Sequence, residues 1–329
     1  MESRKIYIKC AEQISLQQPL SQSWMKEPQI QSVPYARSCD PNFREWLNPL
    51  ESRRLGKILK RALVTSMKVM QESGIPSPDA IITGTGLGCI ENTEIFLGEL
   101  STQGEDVMKP TIFMQSTHNT ISSLIAINAK CHGYNSTYSH KSVSFDQALL
   151  DAFLQLTLGD ISCAMVTGND ELTPTYFEIL KRAGYVGRDG QVTASEASAA
   201  MMLCTQSEGA LCQLEDVQLL YNQMPDLSGK EYDAVLLGVN GTAENDSVYE
   251  KILEGVSAKR LKYKHIFGEC YTVSALGVYA AAHILNEGVA PSFLRCDGEA
   301  EPLNVKRLLF VNHSDGKDIS LVTLKAIEK

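Results

Sequence analysis

The segment GYNSTYSHKSVSFDQALLDAFLQLTLGD, residues 133–160, is the most informative part of the chain. Its first residues have the composition of a β-strand, and from Phe145 apolar residues recur at helical spacing, which predicts a helix to about Leu158. Gly159 is typical of the residue that ends such a helix. Many α/β enzymes carry a nucleophile where a strand turns sharply into a helix, and here that junction holds Lys141 and Ser142.

Ser142 allows three interpretations. It can be a small polar residue near a helix N-terminus, a nucleophile for acyl transfer or thioester hydrolysis, or a pocket-lining residue without chemistry. As a nucleophile it requires a general base. The candidates for that base are His140, His265 and His313. For the helix cap, Ser144 is the better candidate, because Gln147 three residues later would complete a capping box.

Strands and buried helices alternate along the rest of the chain. Residues 4–10 alternate as a strand, whereas residues 11–49 are polar and proline-rich, so we expect loops there, packed onto the fold through Trp24 and Trp46. Helical spacing of apolar residues predicts helices over 52–73, 117–133, 145–158, 249–253 and 270–288. Strands are expected around 79–84, 134–138, 161–166, 197–206 and 232–238, with two closing strands joined by a tight turn after residue 305.

This pattern occurs twice, which indicates stacked layers of helices and sheets. We expect a first half over residues 1–206, with residues 11–49 as an irregular segment packed on it, and a second half over residues 207–329.

The composition restricts the classes of function. With 329 residues, 43% of them hydrophobic, the chain can bury a large core. A formal charge of −9 argues against a nucleic-acid surface. Nine cysteines without a C-x-x-C pair indicate reduced thiols and no metal site. The first ten residues lack the apolar core of a secretory signal, and no apolar run is long enough for a membrane span, so a cytoplasmic location is expected.

The glycine-rich turn TGTGLG, residues 83–88, follows a buried strand and resembles a dinucleotide-binding loop only superficially. Its spacing is G-x-G-x-G, and no acidic strand end follows at the distance that such a loop requires. The sequence therefore gives no reason to expect a nucleotide or another cofactor.

Several motifs, in this order along the chain, resemble those of the β-ketoacyl synthases of the thiolase-like superfamily. They are RRLGKILKRAL (53–63), IITGTGLG (81–88), STHNTISS (116–123), the 133–171 region, GRDGQVTASEASAAMML (187–203), VNGTAEND (239–246), KHIFGECYTVSALGVYAAAHIL (264–285) and LLFVNHSDG (308–316). The resemblance implies an α/β fold with five layers, αβαβα, built from two duplicated halves and usually dimeric. It also implies a catalytic cysteine and two histidines that condense an acyl thioester with a malonyl group on an acyl carrier protein.

The catalytic residues of that family are absent at the matching positions. Counting back from Gly159 without a gap, the family's cysteine falls on Ser142. The first histidine falls on Asn240, in Asn240-Gly241-Thr242, and the second falls on Glu269. The lysine of the second motif is retained as Lys264, and the closing loop NHSDGKD has lost the family's phenylalanine.

These losses argue against ordinary decarboxylative condensation. A serine hydroxyl is a poor nucleophile at neutral pH without a base. Asn240 cannot accept a proton, although it can donate a hydrogen bond to a thioester carbonyl. A negative Glu269 would oppose the formation of an enolate.

Chain-length-factor subunits of this family lack the cysteine and pair with an active ketosynthase as a heterodimer. The leading hypothesis is a subunit of this type, working with an acyl carrier protein in fatty-acid, polyketide or polyene biosynthesis. Lys259, Arg260 and Lys262 form a basic cluster that is either a solvated loop or a dock for the acidic carrier. Two alternatives stay open: a Ser142-dependent acyltransferase or thioesterase acting on carrier thioesters, and a homodimeric acyl-chain-binding protein.

Overall fold

A computed structural model describes residues 4–105 and 109–328. The strands are β1 (Ile6–Ile14), β2 (Ala80–Gly84), β3 (Tyr134–Tyr138), β4 (Cys163–Asp170), β5 (Ala197–Cys204), β6 (Cys212–Tyr221), β7 (Ala234–Leu237), β8 (Lys259–Lys262), β9 (Val289–Ala290), β10 (Leu303–Asn304), β11 (Arg307–Ser314) and β12 (Asp318–Lys325). The helices are α1 (Pro49–Ser52), α2 (Lys57–Ser73), α3 (Ile90–Gln103), α4 (Pro110–Gln115), α5 (Thr120–Ala129), α6 (Ser144–Leu158), α7 (Pro174–Arg182), α8 (Ala243–Ile252), α9 (Lys264–Phe267) and α10 (Val273–Glu287).

Ten of the strands form one sheet whose two halves repeat the same topology. The first five strands lie in the order β3-β2-β4-β5-β1, and the second five, from the opposite edge, lie in the order β8-β7-β11-β12-β6. In each half the first three strands across are parallel and the last two pairings are antiparallel. The halves join where β1 pairs with β6, from Ile6 opposite Leu214 to Ile8 opposite Cys212. The expected internal duplication is therefore present in the strand order.

Alternating side chains on the strands separate the layers. Ile82 of β2 points into the central core with α6 and α10, whereas the neighbouring Ile81 packs against α2 and α5. In the second half, Leu236 of β7 points into the same central core and Val235 packs with α8 on the outside. The layers are therefore outer helices, the first half of the sheet, the central helices α6 and α10, the second half of the sheet and outer helices, which confirms the expected αβαβα arrangement.

The N-terminal segment corrects one boundary and confirms one contact. β1 continues to Ile14, so residues 11–14 are strand and not loop. The polar Glu12 and Gln13 hide this in the sequence, although both are buried. Trp24 is 1% exposed, donates its indole N–H to the Tyr279 hydroxyl at 3.1 Å, and packs on α10 as expected.

Among the described residues, the elements without a counterpart in the sequence prediction are the helices α3, α4 and α7, the strands β6 and β8, and the short elements α1, α9, β9 and β10. No side chain of α3 or α4 is buried, and α7 buries only one, so none of them shows a wide apolar stripe in the sequence. β6 contains a bulge at Glu215. Its buried residues are Cys212 and Leu214 before the bulge and Val217 after it, so the alternation of buried and exposed residues is interrupted. α8 begins at Ala243, earlier than predicted.

Two glycines of the sheet bring the central helices close to it. A Cβ atom at Gly84 of β2 would lie 2.4 Å from the backbone nitrogen of Phe145, in the first turn of α6. A Cβ atom at Gly168 of β4 would lie 2.6 Å from the Cβ atom of Ala275, near the start of α10. Only glycine permits this approach, which places the N-termini of α6 and α10 against the ends of β2 and β4.

Candidate functional site

Ser142 lies in a tight turn, Lys141–Val143, directly before α6. Lys141 has a φ of 46°, in the left-handed region. The Asn312 side-chain amide of β11 donates one hydrogen bond to the Ser142 carbonyl at 2.7 Å and another to the Asp146 carboxylate at 3.0 Å. The half-buried Ser142 hydroxyl has no hydrogen-bond partner among residues 4–105 and 109–328. The turn is thus fixed through its backbone, and the hydroxyl is left free.

The capping box predicted at Ser144 and Gln147 is wrong. Because the turn at Lys141–Val143 precedes the helix, Ser144 is the first residue of α6 and not its cap. Its hydroxyl forms hydrogen bonds with residues that come earlier in the chain. It donates to the Lys141 carbonyl at 2.7 Å and accepts from the His140 N–H at 2.8 Å. The Gln147 amide donates instead to Nδ1 of His140 at 2.7 Å.

Lys264 and Glu269 form a buried ion pair. The Lys264 ammonium lies 2.9 and 2.8 Å from the two carboxylate oxygens of Glu269, with the side chains 5% and 16% exposed. A charge this far from water requires a partner of opposite sign. Glu269 therefore neutralises Lys264 at the position where the resemblance would place a histidine.

The Asn240 side chain organises its own loop. Its Oδ1 accepts hydrogen bonds from the Thr242 N–H at 3.0 Å and from the Thr242 hydroxyl at 2.8 Å. Asp246, in the first turn of α8, accepts from the backbone N–H groups of Asn240 and Gly241. Such a turn is what an Asn at a loop apex commonly builds, and it leaves the Asn240 amide N–H₂ as the side chain's available polar group.

A short extended segment holds the Asn240 and Glu269 loops together. The Val192 N–H donates to the Asn240 carbonyl at 2.9 Å. The Ser195 N–H donates to the Glu269 carbonyl, and the Glu269 N–H donates to the Thr193 carbonyl, both at 2.8 Å. This segment directly follows Arg188-Asp189-Gly190.

None of the three candidate histidines is placed as a free base for Ser142. His313 lines the same cavity, but its Nε2 donates to the Asn245 carbonyl at 3.1 Å and its Nδ1 accepts from the Gly316 N–H at 3.3 Å. Burial and the nearby Lys264 lower the pKa of His313 to about 4. His140 and His265 do not line the cavity, and burial also lowers the pKa of His265 to about 4.

The positions singled out in the sequence surround one cavity of about 700 Å³. Ser142, Asn240, Lys264 and Glu269 all line it. A further part of the lining comes from α7 and the residues on either side of it, which the sequence did not predict. Its residues include Leu172, Tyr176, Ile179, Leu180, Tyr185 and Val186. The cavity therefore combines a polar end with a largely apolar wall, the usual construction of a small-molecule site.

The basic cluster does not line this cavity and is largely neutralised. Arg260 contacts both carboxylate oxygens of Glu250 at 2.6 Å, and Lys259 lies 3.5 Å from Asp297. For Lys262 no ion pair is found within the described part of the chain. A dock for an acidic carrier at this cluster stays a prediction, and the paired carboxylates weaken the positive potential that it would need.

The glycine-rich turn holds a protein carboxylate. The Gly86 and Leu87 N–H groups donate to Asp170 at 3.0 and 2.7 Å, and the Thr85 hydroxyl donates at 3.2 Å. Burial raises the pKa of Asp170 to about 6. These amides would otherwise be free to bind a phosphate, so the turn has a structural role at the end of β4.

No helix within residues 4–105 and 109–328 has the length and apolarity needed to cross a bilayer. In the same ranges no group of three or more His, Cys, Asp or Glu side chains is arranged to hold a metal ion.

Solved structures with the same fold include ketosynthase complexes. The ishigamide ketosynthase/chain length factor matches with a TM-score of 0.83 at 14% identity, over 99% of this chain and 100% of that one. The AntDE:AntF complex, a type II PKS acyl-carrier protein with its ketosynthase bound to the hexaketide, matches at 0.78 and 13%, over 99% and 100%. The ketosynthase ApeO with its chain length factor ApeC from Xenorhabdus doucetiae matches at 0.74 and 14%, over 98% of both chains.

At the level of sequence, the comparison with curated proteins gives no match. The family model of the β-ketoacyl synthase N-terminal domain matches residues 22–245, which is more than half of the chain. Together with the duplicated fold and the position of the cavity, this match shows that the chain belongs to the β-ketoacyl synthase family.

Proposed function

We propose that this chain is a ketosynthase-like subunit without condensing activity, which pairs with an active ketosynthase in the manner of a chain length factor. The observation that carries the proposal is the set of side chains that lines the cavity. The positions that the resemblance assigns to the catalytic residues line one cavity, and they hold Ser142, Asn240 and the Lys264–Glu269 ion pair.

Each of these side chains argues against condensation. Ser142 has no histidine with a free ring nitrogen in the cavity, because both nitrogens of His313 are bound to backbone groups. Asn240 cannot take up a proton, and its carbonyl oxygen is committed to Thr242. Glu269 is neutralised by Lys264. What the cavity offers is space and hydrogen bonds, which suits holding a chain rather than transforming it.

The β3 edge of the sheet offers a surface on which a partner chain could pair. β3 is an edge strand that pairs only with β2 in the described sheet, so its outer N–H and C=O groups are open for pairing. The Tyr138 hydroxyl of β3 donates to Asp151 of α6, so this face of α6 lies beside the edge. Leu154 and Leu158, three and seven residues further along that face, are exposed.

A second apolar surface lies on α3 and α4. Phe96 and Phe113 pack together with ring centroids 5.3 Å apart, yet no side chain of either helix is buried. Leu97 and Met114 are also exposed. Helices this short gain most of their stability from tertiary packing, and exposed apolar patches commonly mark protein interfaces. A partner subunit would supply the missing contact.

Two of the similar structures are described as a ketosynthase with a chain length factor, and a third contains an acyl-carrier protein. These likenesses support the same assembly for this chain. The carrier would deliver its acyl chain to the heterodimer, and the cavity described here would help to accommodate it.

Co-expression with a ketosynthase from the same genome tests the proposal. We expect a heterodimer on size-exclusion chromatography and a product profile that the ketosynthase alone does not give. Leu158→Asp should weaken the heterodimer, whereas Leu50→Asp, at 76% exposure on α1 compared with 74% for Leu158, should not.

Two results would contradict the proposal. One is a ketosynthase that never binds this chain and works equally well alone. The other is an acyl adduct on the chain, detected by mass spectrometry, that disappears in Ser142→Ala, since it would favour the acyltransferase or thioesterase alternative.

A further inference from the structure

A buried carboxylate lines the same cavity as the site positions. Glu171 directly follows the last residue of β4, lines the cavity and is 3% exposed. Its Oε1 accepts a hydrogen bond at 3.0 Å from the Glu91 N–H, in the first turn of α3. Its Oε2 has no hydrogen-bond partner in the described ranges. One oxygen thus anchors the side chain, and the other is available to a molecule in the cavity.

This carboxylate is an unfavourable neighbour for a purely apolar ligand. Burial, together with the charges of Glu91 and Glu196, raises the pKa of Glu171 to about 7, against the lowering effects of the Glu91 N–H and of Arg61. A saturated chain that covered Oε2 would remove its access to water and return no hydrogen bond, at a cost of about 1–3 kcal/mol.

The nearby tyrosines add hydrogen-bonding groups of the same kind. Tyr176 and Tyr271 line the cavity, and neither hydroxyl has a hydrogen-bond partner in the part of the chain that the structure describes. Burial raises the pKa of Tyr271 to about 12, and the neighbouring Tyr176, Asp170 and Tyr185 contribute to this rise. Each hydroxyl can donate or accept a hydrogen bond. The wall presents apolar ring faces with polar tips, which suits a chain that carries oxygen.

We propose that the cavity selects an acyl chain bearing a hydroxyl group, and that Glu171 recognises this group by accepting its hydrogen bond at Oε2. The inference rests on the proposed function, because it takes the cavity to hold an acyl chain. A hydroxyl satisfies the free carboxylate oxygen, and its own oxygen can accept from a tyrosine. Glu171 is then the residue that distinguishes oxygenated chains from saturated ones of equal length.

Calorimetric titration of the full chain with N-acetylcysteamine thioesters tests this selection. The probes are the dodecanoyl thioester and a series of its monohydroxylated forms. At about pH 8 we expect at least one hydroxylated thioester to bind about tenfold more tightly than the unsubstituted one, as one charge-assisted hydrogen bond would give. The preference should shrink towards about pH 6, because a protonated Glu171 is a weaker acceptor.

Three variants separate the contributions. Glu171→Leu should abolish the preference for the hydroxylated chain. Glu171→Gln, which can still accept from the Glu91 N–H and so protects the fold, should retain part of the preference but lose its pH dependence. Leu180→Ala, a change in the same wall, should weaken both kinds of thioester equally.

The outcomes are distinguishable. Equal binding of saturated and hydroxylated thioesters, or a preference that survives in Glu171→Leu, overturns the role of Glu171 and leaves the acyl-binding cavity intact. Failure of every thioester to bind overturns both the selection and the use of this cavity for acyl chains.

Discussion

The ion pair between Lys264 and Glu269 gives a quantitative test of how the site is built. Breaking a buried ion pair by removing one partner typically costs 3–5 kcal/mol, because the remaining charge stays desolvated. Glu269→Gln leaves Lys264 unpaired at 5% exposure, so we expect a loss of about 3 kcal/mol in the free energy of unfolding. Lys264→Met leaves Glu269 at 16% exposure beside the cavity, where water reaches it, and should cost less, about 2 kcal/mol.

The double variant Lys264→Met/Glu269→Leu separates charge burial from loss of contact. With both charges removed, we expect stability within about 1 kcal/mol of the natural chain, since apolar replacements of buried pairs are often neutral or stabilising. Urea unfolding followed by circular dichroism measures each variant. With an m-value of about 3 kcal/mol per molar urea, a loss of 3 kcal/mol lowers the midpoint by about 1 M.

The Arg188–Glu244 pair is the matched control, because it also lines the cavity but is 47% and 78% exposed. Glu244→Gln should change stability by less than about 0.5 kcal/mol. If Glu269→Gln were equally mild, or if the double variant were less stable than either single one, the ion pair would not be desolvated in the way described.

Three further predictions concern the same region. Ser142→Cys should be alkylated by iodoacetamide before the natural cysteines, because a helix N-terminus favours the thiolate, whereas burial raises the pKa of thiols such as Cys212. Mass spectrometry measures the order of alkylation. If the new cysteine stayed unmodified, the turn would not be accessible. Asn312→Ala removes the hydrogen bonds to the Ser142 carbonyl and to the Asp146 carboxylate, so urea unfolding should show a loss of about 2–3 kcal/mol in the free energy of unfolding. A loss below about 0.5 kcal/mol would mean that the turn does not depend on the Asn312 side chain. Burial lowers the pKa of His313 to about 4, so the unfolded chain takes up the proton first and stability falls as pH drops from about 6.5 towards 4. His313→Gln should reduce this fall by about 1–3 kcal/mol, measured as the difference in unfolding free energy between about pH 7 and pH 4.5, and an unchanged difference would show that His313 does not titrate in this way.

The fold followed from the sequence where apolar periodicity was strong. α6, with its wide apolar face, lies within one residue of the predicted bounds, and Gly159 ends it with a φ of 86°. Periodicity failed where burial is incomplete or the register shifts. α3 buries nothing, and the bulge at Glu215 breaks the alternation of β6. Such features depend on contacts that a local pattern does not contain.

The site followed from the sequence in its positions but not in its contacts. Ser142, Asn240 and Glu269, far apart in the chain, line one cavity. The sequence did not reveal that Glu269 binds Lys264, because that contact requires the backbone to turn back at residue 268. Nor did it reveal Glu171, since nothing in its local sequence shows that one carboxylate oxygen faces the cavity.

The duplicated sheet has two unlike edges, and their difference limits how the chain can assemble. The β3 edge is open and lies beside apolar side chains, whereas β8 at the other edge carries Lys259, Arg260 and Lys262. The β8 edge is also partly covered, since Leu261 bridges to Arg295 and the Cys296 N–H donates to the Arg260 carbonyl. Charge and coverage of this kind prevent edge-to-edge association. Pairing through the sheet edges alone could therefore extend this sheet on the β3 side only, which would give a pair of chains and not a continuing array.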